Sequence, residues 1–219
     1  MIVQMDKIMQ GDCIAVMQGF PDKAFDWVMT DPPYNAGYDL PNDRLTDEQY
    51  YQFTQRWVAE CERVSRSQAY IITPKYCPVL YKIPKNVYFH TYVHHKSNAI
   101  RAMRGGFQNT NFVIVYHEGP VYKVPEFPND VWNIPLQGEQ GDVGHPTPKP
   151  MKLLEVMICK FTHGGQRILD PFVGFGTTAI VAKRLGRRYV GIELDKRYYN
   201  IARRNISQNI ISELLAEGE

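Results

Sequence analysis

Disulfide and metal frameworks are the first things this sequence lacks. Only four cysteines occur in 219 residues, Cys13, Cys61, Cys77 and Cys159, and they lie far apart. None forms a C-x-x-C pair or has a histidine at ligand spacing, so no disulfide scaffold and no metal site is expected. Long apolar runs are missing too: no stretch approaches the length of a membrane span. The opening Met1-Ile-Val-Gln-Met-Asp-Lys has no basic segment followed by an apolar one, so the chain is read as cytoplasmic, with no membrane partner. There is no internal repeat, no low-complexity tract and almost no excess of charge, 25 Lys and Arg standing against 23 Asp and Glu. A polyanionic partner must therefore be argued from local clusters rather than from the whole molecule.

What is present reads as one α/β domain over residues 1–219. Runs rich in β-branched and aromatic residues at 24–29, 69–73, 87–93, 111–116, 166–170 and 188–192 predict strands. Thr46 and Gln49 form a capping box, and Tyr50, Phe53, Trp57, Cys61 and Val64 follow at helical spacing. Further helices are predicted from Pro150 to the Gly164-Gly165 pair, from Thr177 to Leu185 with Gly186 as a stop, and from about Asp195, with a disordered tail after about Ile211. Strands alternating with helices predict a mostly parallel sheet. Residues 94–110 and 117–145 read as loop-rich excursions, the second rich in proline and irregular in pattern.

Two strand ends carry unusual chemistry. The first is Thr30-Asp-Pro-Pro-Tyr-Asn35, where an acid, two prolines and an aromatic ring follow an apolar run; by itself it reads equally as a turn or as a site. The second is RILDPFVGFGTTAIVAKRLGRRYVGIELD, residues 167–195: strand, glycine loop, helix, strand, acid. Gly174-x-Gly176-x-x-Ala179 satisfies a relaxed dinucleotide fingerprint, and Glu193 stands where a ribose-binding acid would. This supports a nucleoside lying over the strand ends. A nicotinamide cofactor fits poorly, because a nicotinamide enzyme usually opens with this unit and here it closes the chain. Both strand ends are expected to face one cleft.

With DPPY early, HPTPKP (His145 to Pro150) before a helix, and DPFVGFGTTAIVAKRLGRRYVGIELDKRYY late, the chain resembles the permuted (β-type) S-adenosylmethionine-dependent DNA amino-methyltransferases. The GDCIAVM stretch from Gly11 resembles that family's cofactor-adenine segment. The resemblance implies a Rossmann-like methyltransferase fold with helices on both faces of the sheet and a circularly permuted motif order. It also implies methyl transfer to an exocyclic amine of a base flipped out of double-stranded DNA. Asp31 and the Pro32 carbonyl would accept the two amine hydrogens, Pro33 would stiffen the loop and Tyr34 would stack on the base. For the cofactor, the resemblance implies Asp12 and Cys13 near the adenine, Glu193 on the ribose and Phe172 as a wall. Asp170, Gly174, Gly176 and Thr177 would lie along the glycine loop, with His145, Thr147, Lys149 and Asp31 toward the methionine end. Asp rather than Ser at position 31 favours N6 of adenine over N4 of cytosine.

About sixty residues, Lys85 to Gly144, are left to read DNA, which implies a short site, low selectivity or help from a second subunit, a homodimer being one form of that help. His94, His95, Lys96, Arg101 and Arg104 are expected to meet phosphates, and Asn35 reads equally as a turn residue or a base contact. A non-catalytic nucleic-acid-binding relative and an N4-cytosine enzyme stand as alternatives.

Overall fold

The structure, a computed structural model, describes residues 3–35, 37, 42–72, 88–96, 102–103, 106–107, 110–135 and 149–216. The strands are β1 (Lys7–Gln10), β2 (Phe25–Thr30), β3 (Ser65–Ile72), β4 (Tyr88–His95), β5 (Ala102–Met103), β6 (Gly106–Phe107), β7 (Thr110–His117), β8 (Val131–Asn133), β9 (Arg167–Asp170) and β10 (Arg188–Glu193). The helices are α1 (Cys13–Gln18), α2 (Asp47–Val64), α3 (Met151–Phe161), α4 (Thr177–Arg184) and α5 (Lys196–Ala216).

Eight strands form one sheet in the order β1-β10-β9-β2-β3-β7-β4-β8. Pairing is parallel from β1 through β3 and again between β4 and β8, and antiparallel where β7 meets β3 and β4. A helix carries the chain from β2 to β3 and from β9 to β10, as parallel neighbours require. The decisive pairing is β2 with β9, Trp27 opposite Ile168 and Val28 opposite Leu169, which sets the late glycine unit directly beside the early acidic strand.

Alternation along the central strands divides the core between the two faces of the sheet. Trp27, Met29, Ala69, Ile71, Val113 and Val115 pack with α3, α4 and α5. Val28, Tyr70, Ile72, Ile114, Tyr116 and Leu169 pack with α1 and α2. Near-continuous apolar strands covered on both sides are what a buried, largely parallel sheet demands. The capping box forms as the sequence predicts, Thr46 Oγ1 accepting from Gln49 N and Gln49 Oε1 from Thr46 N, and all five predicted residues of α2 are buried.

Some elements depart from expectation. β1 and α1 are too short for periodicity to reveal, and β5 and β6 are two-residue strands inside the excursion at 94–110. In the second excursion β8 joins the sheet edge, anchored by Trp132, which is fully buried. α3 stops at Phe161, before the glycine pair, because Thr162 turns extended and its hydroxyl bonds back to the Ile158 carbonyl at 2.6 Å. α5 runs through Ala216, where the sequence suggested a disordered tail. No described helix is long and apolar enough to cross a membrane.

Candidate active site

Because β2 and β9 run parallel side by side, Asp31 and Asp170 emerge at the same edge of the sheet. Thr30 Oγ1 ties the two ends together by donating to Asp170 Oδ1 at 2.6 Å. A pocket of about 480 Å³, open to solvent, lies there and takes Asp31, Lys149, Asp170, Phe172, Gly174 and Thr177 among its walls. The two motifs therefore share one cleft, as expected from their positions at strand ends.

The glycine loop is shaped by backbone rather than side chains. Gly176 caps the N-terminus of α4 at φ 86°, a left-handed conformation natural to glycine, and a Cβ there would sit 3.3 Å from Ala202 Cα on α5. Gly174 N donates to Glu193 Oε2 at 3.0 Å and Asp195 N to Glu193 Oε1 at 2.8 Å, so the acid at the end of β10 is aimed at the loop. Burial raises the Glu193 carboxyl above its usual range, these backbone donors opposing the shift. Phe172 meets Trp57 edge-on at 5.4 Å and Phe53 at 6.2 Å, and forms a wall on the α2 side.

Parallel pairing of Gln10 with Glu193 brings the Asp12 segment alongside, with Gly11 N donating to the Glu193 carbonyl at 3.0 Å. Asp12 caps α1 by accepting from Ala15 N at 2.9 Å, a local reason for its residue type beside any role with a ligand. Cys13 is buried, and burial together with Asp12 pushes its thiol to about 12, which makes it a packing residue rather than a nucleophile. Thr177 opens α4 at the pocket wall.

At the acidic strand end the tetrapeptide is held from several directions. Tyr50 on α2 donates to the Pro33 carbonyl at 2.9 Å, and Pro32 is buried. The Tyr34 hydroxyl bonds Asp31 Oδ1 and lies 3.0 Å from the Ile71 carbonyl, between which its one proton chooses. Burial, reinforced by Asp31, pushes the Tyr34 phenol well above its ordinary value and keeps it a donor. Asn35 sits at φ 51° with both ends of its amide on Leu45, accepting from the backbone N at 2.8 Å and donating to the carbonyl at 2.9 Å. That is the geometry of a turn residue bracing the loop. Lys149 lies on Asp31 itself, its ammonium 2.8 Å from Oδ2.

The basic cluster divides. His94 has no exposed surface, its Nε2 lies 2.9 Å from the Ile134 carbonyl, and burial drives its pKa down to about 4. Its expected phosphate contact is thereby corrected: successive residues of a strand face opposite ways, and His94 shares the inward side with Tyr92. His95 points outward, its Nδ1 2.9 Å from Asn133 Oδ1, and with Lys96 it ends β4 on the same sheet edge as Asp31. Arg101, Arg104, His145 and Thr147 lie outside the described residues. Sequence reading missed Thr30, Ile71 and Thr178 as site residues and took Tyr50 for core alone; the adjacency of Thr30 to Asp31 was the one available signal.

Asp170 is buried, and burial raises its carboxyl to about 6 against the pull of Thr178, Thr30 and the Phe172 N–H. Between its unfolded value of about 3.9 and its folded value the native chain holds a proton that the unfolded chain has lost. The Asp170 contribution to stability therefore falls as pH rises through that window. Asp170→Asn, which keeps an acceptor for Thr30 and Phe172, is expected to raise Tm most above pH ~6 and to lose that advantage toward pH ~4. Melting curves at several pH values check this, and a constant offset would contradict it.

Among the described lining residues Lys149 is the one cation facing Asp31 and Asp170, with Glu193 adjacent. Such a set of carboxyl acceptors suits a ligand carrying positive charge and sugar hydroxyls that donate.

The type II methyltransferase M.HpaI of Haemophilus parainfluenzae is 27% identical over 231 residues, covering 91% of this chain and 74% of that protein. The solved structure of PvuII DNA methyltransferase, described as cytosine-N4-specific, has a TM-score of 0.75 at 17% identity, covering 93% of this chain and 90% of that one. The M1.HpyAVI–SAM complex has a TM-score of 0.66 at 23% identity, covering 91% of this chain and 98% of that one. The N6/N4 DNA methylase family (N6_N4_Mtase) matches residues 25–204, from the start of β2 into α5 and thus through both motifs of the cleft, so the chain belongs to that family of DNA methyltransferases.

Proposed function

We propose that this chain transfers the methyl group of S-adenosylmethionine to N6 of an adenine swung out of double-stranded DNA. The observation that carries it is the opening of Asp31 and the Gly174–Gly176 loop onto one pocket. When bound, the cofactor supplies an electrophilic methyl group on a sulfonium. The chain supplies everything else. Gly174 and Gly176 admit the cofactor close to the backbone, and Glu193 accepts from its ribose. Asp31 and the Pro32 carbonyl accept the two hydrogens of the exocyclic amine, favouring a pyramidal nitrogen whose lone pair is localised, a condition needed only near the transition state. The carboxylate of Asp31 then takes the proton that the methylated nitrogen sheds. Tyr34 offers its ring to the extrahelical base.

Asp rather than Ser at position 31 supports adenine. Mass spectrometry of nucleosides from unmethylated DNA incubated with chain and cofactor is expected to find N6-methyladenine. N4-methylcytosine would keep the chemistry and replace the base, whereas neither product, with cofactor binding verified, would make the chain a binding subunit. Arg101 and Arg104, together with His95 and Lys96 on the catalytic edge, are the phosphate contacts of this reading. Arg101→Ala with Arg104→Ala is expected to flatten the log–log salt slope of DNA binding by about 2. An unchanged slope would remove both from the interface.

A further inference from the structure

Lys149 lies where two anions can claim it. Its ammonium is 2.8 Å from Asp31 Oδ2, its side chain is only 9% exposed, and it stands 5.2 Å from the centre of the Tyr34 ring. With Tyr34 on Oδ1 and the Lys149 ammonium on Oδ2, the charge of the Asp31 carboxylate is neutralised, so an amine that must donate to Asp31 competes with a charged donor. On its other side Lys149 looks into the pocket formed by Phe172, Gly174 and Thr177. The other charged groups among the described lining residues are Asp31 and Asp170, so Lys149 is also the one cation there available to a ligand's carboxylate.

We propose that Lys149 is a two-position switch: without cofactor it neutralises Asp31, and on binding it carries its ammonium to the cofactor's carboxylate and uncovers Asp31 for the target amine. A lysine suits this task, being a point charge on a flexible four-carbon stem with three rotatable donors. Each position gives it a charge-assisted hydrogen bond, so the exchange replaces one ion pair by another and leaves no buried ammonium unpaired. Asp31 gives up its counter-ion when the amino-acid end of the cofactor is in place, which makes cofactor binding and target binding mutually reinforcing. This rests on the reading of S-adenosylmethionine as the cofactor and not on which base is methylated.

The test needs no DNA. Calorimetric titrations compare S-adenosylhomocysteine with 5′-methylthioadenosine, which keeps the adenosine and thioether but lacks the amino-acid end. Lys149→Met is expected to weaken S-adenosylhomocysteine about tenfold, and Asp31→Asn, which removes the competing anion, to tighten it by up to about tenfold. The gain from Asp31→Asn should vanish in the double variant, because it acts through Lys149. Binding of 5′-methylthioadenosine should stay within about twofold throughout and so reports that each variant is folded. Unchanged S-adenosylhomocysteine binding in Lys149→Met, or a gain from Asp31→Asn that survives without Lys149, overturns the switch. Should Lys149→Met not fold, Asp31→Asn decides alone: failure to tighten S-adenosylhomocysteine relative to 5′-methylthioadenosine overturns it. A wild-type chain that binds neither ligand overturns the cofactor reading instead.

Discussion

Asp31→Asn is expected to lower single-turnover methylation by about a thousandfold while leaving the fold intact. Asparagine keeps the shape but exchanges one acceptor oxygen for a donor NH₂ and removes the charge that stabilises the pyramidal amine. Acceptors of this kind act as charge develops, so the loss belongs in the rate constant rather than in DNA affinity. Among the described residues the partners of the Asp31 side chain, which is 25% exposed, are Lys149 and the Tyr34 hydroxyl. A variant that stays folded with its Tm lowered by loss of the Lys149 ion pair, keeps its cofactor binding and forms almost no product is therefore the expected result. Rapid-quench kinetics at saturating DNA and cofactor measure it. A loss below about tenfold would move the catalytic role away from this carboxylate.

The second large effect falls on stability. Gly176→Val puts a β-branched side chain at φ 86° and a Cβ 3.3 Å from Ala202 Cα, at the packing of α4 on α5. The left-handed backbone costs about 1–3 kcal/mol, and overpacking adds about 1–3 kcal/mol. At this chain length the sum lowers Tm by roughly 4–24 °C. Because Gly176 begins the helix at the pocket mouth, cofactor affinity should fall with it. Gly174→Ala supplies the contrast: it also sits at positive φ, 52°, but its Cβ would meet nothing closer than the Phe172 carbonyl at 4.0 Å. It should cost only about 1–2 kcal/mol. Equal Tm losses in the two variants would show that the contact with α5 is unimportant.

Local chemistry was legible in the sequence wherever it depended on neighbours in the chain. The capping box of α2 is written in Thr46 and Gln49, and the strand–loop–helix–strand order of 167–195 is written in its glycines and apolar runs. Short pieces were not. β1 owes its place to pairing with β10, and β8 to its ladder with β4 and the buried Trp132, contacts that no local pattern announces. His94 shows the same limit at one residue: its neighbour His95 faces out, and only the register of β4 against β7 and β8 decides which of the two is inside.

At the site, sequence by itself determined the chemical parts: a carboxylate after one strand, a glycine turn after another, and an acid at the end of a third. Residue type and spacing suffice for these because each is a property of a few consecutive residues. Tertiary structure alone decided that they converge, since β2 and β9 pair across 140 positions of chain between Thr30 and Asp170. It also decided that Lys149 rests on Asp31 and that Tyr34 turns its hydroxyl onto the same carboxylate. The physical reason is reach: backbone preferences act over a few residues, whereas an ion pair or a hydrogen bond forms wherever the sheet brings its partners within about 3 Å.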